Sequence, residues 1–189
     1  MTTVDELEVK TRVDDPAALA RALRAAGAEL VFSGQMVDRR FDRNKELEAR
    51  DEVIRLRLYR PTDKGPSWGV FGWKGPVAMR DGYRHRSEAE SKVDDPDAVF
   101  ALLAHLGFQV SLRIDREIEQ YRLGDAVLRL ERYPGMDTLL EVEGPPAAIE
   151  RAIVATGLPR SAFLPESLPY FIAAYEQRTG RRAQLAARD

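Results

Sequence analysis

Charged residues recur at every second position along several stretches of this chain of 189 residues. Glu6, Glu8, Lys10 and Arg12 fall on one side of an alternation, with Leu7, Val9 and Val13 on the other. Arg55 and Arg57 oppose Ile54, Leu56 and Leu58, and Lys74 opposes Phe71 and Trp73. Arg84, Arg86, Glu88, Glu90 and Lys92 make an unbroken charged row. Arg129 with Glu131, then Glu141 with Glu143, repeat the pattern against Leu128, Leu130, Leu140 and Val142. Side chains point to alternate faces of an extended strand, so each stretch carries one apolar and one charged face. Carboxylate oxygens are hard ligands suited to Mg2+ or Mn2+, and arginine and lysine bind phosphate oxygens through charge-assisted hydrogen bonds. Mixed on one surface, these groups either pair with each other or hold a polyanion together with metal.

Strands must position these residues. Segments of period two are read at about 4–13, 31–42, 53–60, 67–74, 83–93, 110–122, 126–133 and 137–143, and eight such segments suit a barrel or a strongly curved sheet. Helices interrupt them. Asp15-Pro16 reads as an N-cap followed by proline at the first helical position, with Gly27 as the stop; Asp95-Pro96 with Gly107 repeats this, and Pro146 with Gly157 repeats it without the aspartate. Val13-Asp14-Asp15-Pro16 returns as Val93-Asp94-Asp95-Pro96, with Glu8 falling on Glu88 and Arg12 on Lys92. The spacing predicts a duplicated strand–helix–strand unit and a pseudo-two-fold barrel. A last helix is expected at about Ser167 to Arg178, after which 180–189 reads as a mobile tail; 1–179 reads as one domain. The stretches 43–52, 61–67 and 75–82 read as loops.

An amphipathic strand ordinarily turns its charged face to water. Here that face is Glu, Arg and Lys almost without Ser, Thr or Gln, although strands disfavour Glu and Lys. The capped helices also need an apolar sheet face to pack on. If they cover the outside, the charged faces line the inside of a closed barrel, where charge must be neutralised by partners. The fold class expected is therefore α+β, an eight-stranded antiparallel closed barrel with helices outside.

Composition narrows the chemistry. Hydrophobic residues at 44% supply a core, and a net charge of −2 gives no reason to expect a nucleic-acid or membrane partner. The absence of cysteine excludes disulfides and thiolate sites, and two histidines, His85 and His105, argue against a histidine zinc site. Met1 to Val13 carries no apolar run of the signal-peptide kind, so a soluble cytoplasmic protein is expected. His85 falls opposite Arg86 and reads as packing; Trp68 and Trp73 read as core or barrel rim; Arg84, Lys92 and Arg129 read as structural ion-pair residues.

Glu6-Leu7-Glu8-Val9-Lys10 matches the ExExK signature of the CYTH, or triphosphate tunnel metalloenzyme, superfamily. Arg55-x-Arg57, Lys74-Gly75-Pro76, Arg86-x-Glu88-x-Glu90 and Glu141-Val142-Glu143 follow in that group's order, so the chain resembles it from about Asp5 to Tyr175. The resemblance implies a tunnel that binds triphosphate end-on. It assigns Glu6, Glu8, Glu141 and Glu143 to one or two Mg2+ or Mn2+ ions, with Glu131 where the group usually has an aspartate. It assigns Lys10, Arg55, Arg57, Lys74 and Arg86 to phosphate, gives Lys10 and Lys74 catalytic roles, and makes Glu88 and Glu90 supporting carboxylates. On the sixth strand Arg113 and Arg116 are both candidates for phosphate but have opposite parity; a bulge would reconcile them, and Arg116 is preferred.

The implied activity is metal-dependent hydrolysis of inorganic or thiamine triphosphate. The alternatives are a class IV adenylyl cyclase that makes cyclic AMP and pyrophosphate from ATP, and a non-catalytic polyphosphate- or nucleotide-binding module. The oligomeric state is open, a homodimer included.

Overall fold

The computed structural model describes residues 4–187, with side chains from Leu7 onward. Eight strands close a ring: β1 (Val4–Val13), β2 (Glu29–Asp42), β3 (Val53–Pro61), β4 (Trp68–Lys74), β6 (Tyr83–Val93), β7 (Gln109–Leu123), β8 (Ala126–Arg132) and β9 (Thr138–Glu143). The order β1-β9-β8-β7-β2-β3-β4-β6 is closed by antiparallel pairing of β1 with β6, where Glu8 faces Arg84. A closed ring leaves no edge strand. A ninth strand, β5 (Ala78–Arg80), pairs only with β6 and lies in a segment read as loop. Its cause is Asp81-Gly82, both at positive φ (52 and 82), the turn chemistry of a two-residue hairpin.

The duplication is visible in the backbone. Helices α1 (Pro16–Ala25) and α2 (Pro96–His105) begin alike: Asp15 Oδ1 accepts from Ala18 N at 2.8 Å and Asp95 Oδ1 from Ala98 N at 2.9 Å. Both end on glycine at φ 84, a left-handed stop. Exchanging β1–β4 for β6–β9 maps the ring onto itself. Helix α3 (Pro146–Thr156) joins α1 over the outer faces of β1, β8 and β9, where Leu19, Leu23, Ile149 and Ile153 bury with Val9, Leu128 and Val142. Each such side chain contributes roughly 1.5–3 kcal/mol. Helix α2 packs Leu103 against Phe41 and Leu56 but leaves Phe100, Leu102 and Leu106 exposed.

Helix α4 (Leu168–Thr179) sets Leu168 and Phe171 against Ile114, Tyr133 and Leu139. Residues 181–187, expected in a mobile tail, lie along the barrel: Gln184 bridges Gly135, Asp115 N donates to Leu185 O at 2.7 Å, and Leu185 joins the apolar cluster under α4. Among the described residues no helix is long and apolar enough to cross a membrane.

Candidate functional site

The charged faces point into the barrel. The apolar residues between them pack under the helices, so the alternation itself sends Glu8, Lys10, Arg55, Arg57, Lys74, Arg86, Glu88, Arg129, Glu131 and Glu141 inward, all buried. Around the central cavity stand nine cationic side chains (Lys10, Arg40, Arg55, Arg57, Lys74, Arg84, Arg86, Arg116 and Arg129) and three carboxylates, Glu8, Glu131 and Glu141.

On the wall formed by β1 and β9, Lys10 Nζ lies 2.9 Å from Glu8 and 2.6 Å from Glu141. Burial opposes the ammonium charge, yet Glu141 and Glu8 outweigh it and hold the Lys10 pKa above its ordinary value. Arg129 donates to Glu141 at 2.6 Å and lies 3.5 Å from Glu143; Arg84 pairs with Glu8. On the facing wall Asp38, fully buried, lies 3.5 Å from Arg57 Nε and 3.3 Å from Arg116 Nη2. Burial pushes its carboxyl up, but Arg57, Arg116, Arg40 and Arg55 outweigh burial and hold it below the usual carboxylate range. Arg116 also reaches Glu131 at 3.0 Å and donates to Tyr133 Oη at 3.2 Å, and the Tyr133 hydroxyl donates to Glu131 at 2.5 Å. Burial, with Glu131 adding to it, raises the Tyr133 pKa well above its ordinary value.

Lys74 pairs with Glu88, and Arg55 donates to Glu90 at 2.7 Å. Arg86 donates to the Asp51 backbone oxygen at 2.7 Å and to its carboxylate at 2.5 Å. Asp51 also accepts from Val77 N at 2.6 Å, so it ties the 43–52 and 75–82 segments together at one mouth.

The structure thus gathers almost every expected site residue into one tunnel. Glu6 pairs through its backbone with Arg86; its side chain lies outside the described residues. Arg113 is corrected. β2 and β7 stay in register from Phe32–Gln120 to Arg40–Leu112, so no bulge separates residues 113 and 116. Arg116 points in, and Arg113 is exposed on the outer face. Arg84 and Arg129 make the ion pairs expected of them and also line the cavity, whereas Lys92 is exposed. The sequence reading missed Asp38, Arg40 and Tyr133. In β2 the run Asp38-Arg39-Arg40 places charge on both parities, which hides the period. The usable signal was Met36, Asp38 and Arg40 sharing one parity, opposite Val37 and Phe41.

Among the described residues no group of three or more carboxylates or imidazoles stands close enough to hold a metal ion. The donor chemistry still fits a hard cation, since Glu8 and Glu141 already converge on one positive charge, the Lys10 ammonium.

No protein-family model matches the sequence, and a search of curated proteins finds no match. Solved structures do match. A candidate adenylate cyclase from Vibrio parahaemolyticus superposes with TM-score 0.75 at 17% identity, covering 91% of this chain and 99% of that one. A candidate adenylyl cyclase from Hippeastrum, with a dominant triphosphatase activity, superposes with TM-score 0.64 at 17% identity over 97% of this chain and all (100%) of the other. A chain of the Schizosaccharomyces pombe Mediator head module superposes with TM-score 0.58 at 13% identity, covering 79% of this chain and 89% of that one. At these identities the likeness is one of fold, and the fold is hosted by more than one kind of protein. A closed eight-stranded antiparallel ring with helices outside is the fold this chain shares with these structures.

Proposed function

We propose that this tunnel binds a triphosphate-containing substrate with Mg2+ or Mn2+ and hydrolyses it. One observation carries the reading: nine cations face three carboxylates around the central cavity. Within that set the Nε atoms of Arg40, Arg55, Arg86 and Arg116 are buried without a hydrogen-bond partner among the described residues. Buried donors left unmatched are costly, and a polyanion supplies the acceptors. The likeness to a structure with dominant triphosphatase activity supports hydrolysis over cyclisation.

In this reading Arg55, Arg57, Arg86, Arg116 and Lys74 bind phosphate oxygens, and Glu88 and Glu90 keep Lys74 and Arg55 aimed. Glu8, Glu141 and Glu143, with Glu6, would hold the divalent ion, and Glu131 keeps Arg116 in place both directly and through Tyr133. The ion, when bound, offsets charge developing on the phosphoryl oxygens. Lys10 then leaves the Glu8–Glu141 pair for a phosphate oxygen, stabilising the same charge.

The test is incubation with inorganic triphosphate, thiamine triphosphate and ATP, each with Mg2+ or Mn2+. Orthophosphate is the expected product, and Glu8→Gln should lower its rate about 100-fold or more. Cyclic AMP with pyrophosphate from ATP would establish the cyclase instead. Saturable binding without turnover would leave a binding module.

A further inference from the structure

The internal two-fold leaves one helix without its cover. Helix α3 follows β9 after Gly144-Pro145 and packs on α1, where Leu19, Ala20 and Leu23 bury with Ile149, Ala152 and Ile153. The symmetry mate of β9 is β4, and the mate of α1 is α2. After β4 the chain repeats the dipeptide as Gly75-Pro76, but runs into the short strand β5 and on to β6. Among the described residues no helix packs on α2 as α3 packs on α1.

The two helices also differ in what they turn to water. Aligned on Asp15-Pro16 and Asp95-Pro96, Arg21 and Arg24 of α1 fall on Ala101 and Ala104 of α2, and Ala20 and Ala22 fall on Phe100 and Leu102. From Ala98 to Ala104 α2 carries no polar side chain, a run of nearly two turns. A helix that is apolar all round is ordinarily buried. Yet Leu103 is the buried residue of α2, while Phe100 is 42% exposed, Leu102 61% and Leu106 62%. Large apolar side chains gathered on one exposed element mark an interaction surface.

Charge decides what fits that surface. The N-terminal end of α2 is acidic, with Asp94, Asp95 and Asp97 exposed. At the C-terminal end stand His105 and Arg43; Arg43 lies 3.0 Å from Glu46 and donates to the Leu106 backbone oxygen at 3.4 Å. The face between the two ends is uncharged. A second α2 laid antiparallel across it, crossing at Ala101, brings each acidic end to the other copy's basic end and sets Phe100 beside the partner's Leu102. The match occurs twice, as an isologous two-fold contact requires. A parallel arrangement would instead bring the aspartates together, and an anionic lipid surface would be repelled by them.

We propose that two copies of this chain pair through α2, antiparallel about a two-fold axis at Ala101, so that the partner's helix covers α2 as α3 covers α1. The helix is only ~15 Å long, so the interface is small and the dimer dissociates at a concentration on the order of micromolar. The pairing lies outside the barrel and does not depend on what the tunnel binds.

Sedimentation equilibrium of the full chain tests the pairing. At about 100 µM, well above a micromolar Kd, the wild-type protein should be dimeric. Leu102→Glu should weaken the dimer about 100-fold and leave the monomer folded, because Leu102 is exposed; circular dichroism checks the fold. Val154→Glu, at a site 79% exposed on α3, should leave the dimer intact. The chain contains no cysteine, so single cysteines report the geometry. Under mild oxidation Ala101→Cys should form an intermolecular disulfide about tenfold faster than Val154→Cys, since the axis brings position 101 against itself. A monomeric wild-type chain, or a dimer that Leu102→Glu leaves unchanged, would overturn the pairing through α2. Failure of Ala101→Cys to outpace Val154→Cys, or rapid linkage of His105→Cys to itself, would overturn the antiparallel axis.

Discussion

Two walls of the tunnel solve the same electrostatic problem differently. On β1, β8 and β9, Glu8, Glu141 and Glu143 are stitched by Lys10 and Arg129, with each carboxylate in contact with a cation. On β2, β3 and β7, Asp38 is shared by Arg57 and Arg116 while Arg40 and Arg55 crowd the same space. A buried charge is tolerated when paired and costly when alone. The first wall is therefore neutralised at rest, and in the proposed reading its ion pairs open to admit the metal. The second carries four arginines on its own strands against one carboxylate, with Glu90 and Glu131 reaching in from β6 and β8, and in the proposed reading it takes the anion. The protein keeps one half of its proposed ligand set closed and the other half waiting.

Removing the cation that stitches the first wall should have the largest effect. Lys10→Met leaves Glu8 and Glu141 facing each other with only Arg84 and Arg129 as their remaining cations, and should destabilise the fold by about 3 kcal/mol, read as a lower Tm. Millimolar Mg2+ should recover much of that loss. A variant insensitive to Mg2+ would mean that the two carboxylates do not form an ion site. The second wall should respond with the opposite charge preference. Asp38→Asn should cost about 1.5–3 kcal/mol and should gain more Tm from added inorganic triphosphate than the wild type does. Equal gains would contradict the excess of cations there.

Acid should act on the second wall in a stated sense. The folded carboxyls of Asp38 and Glu90 titrate below their ordinary values of 3.8 and 4.5. For Glu90, as for Asp38, burial pushes upward and arginine, first Arg57 and then Arg55, prevails. Depressed carboxyl pKa values give stability that is complete above the unfolded values and lost as pH falls through the folded ones. Wild-type Tm should therefore fall more steeply below about pH 4 than that of Asp38→Asn; parallel curves would deny Asp38 this role. The smallest effect belongs outside the tunnel: Arg113→Ala should shift stability by no more than about 0.5 kcal/mol and leave triphosphate affinity as it was. A tenfold loss of affinity would return Arg113 to the site.

The barrel was legible because its alternation is strict. Where apolar residues such as Leu7, Val9, Leu128 and Leu130 mark the outer face, the inner positions follow by parity, and the capped helices decide which face is which. The same logic failed where parity blurs. Arg39 pairs with Asp115 on the outer side at 2.6 Å while Asp38 and Arg40 turn inward, so these two members of the second wall lay on a strand with no clean period. Arg113 was misplaced for a related reason: the β7 bulge lies at Ser111, where the Arg40–Leu112 pair is followed by Phe41–Val110, not between the two arginines. The docked 181–187 segment had no periodicity to read; a single apolar residue, Leu185, and three backbone hydrogen bonds hold it.

The closing pair of the ring has a consequence for how the chain reaches this structure. β1 is bordered by β6 and by β9, so Lys10 waits for Glu141 to arrive from the far end of the sequence. During synthesis, β1 stays an open edge carrying buried-type charges until the last strand emerges. Pairings of such high sequence separation form slowly, and their unpaired precursors are the species most exposed to misassembly. The helix-covered unit β7–β8–β9 offers mostly local hairpin contacts. Its symmetry mate β2–β3–β4 is equally local, so both meanders can form before the β1–β9 pair closes the ring.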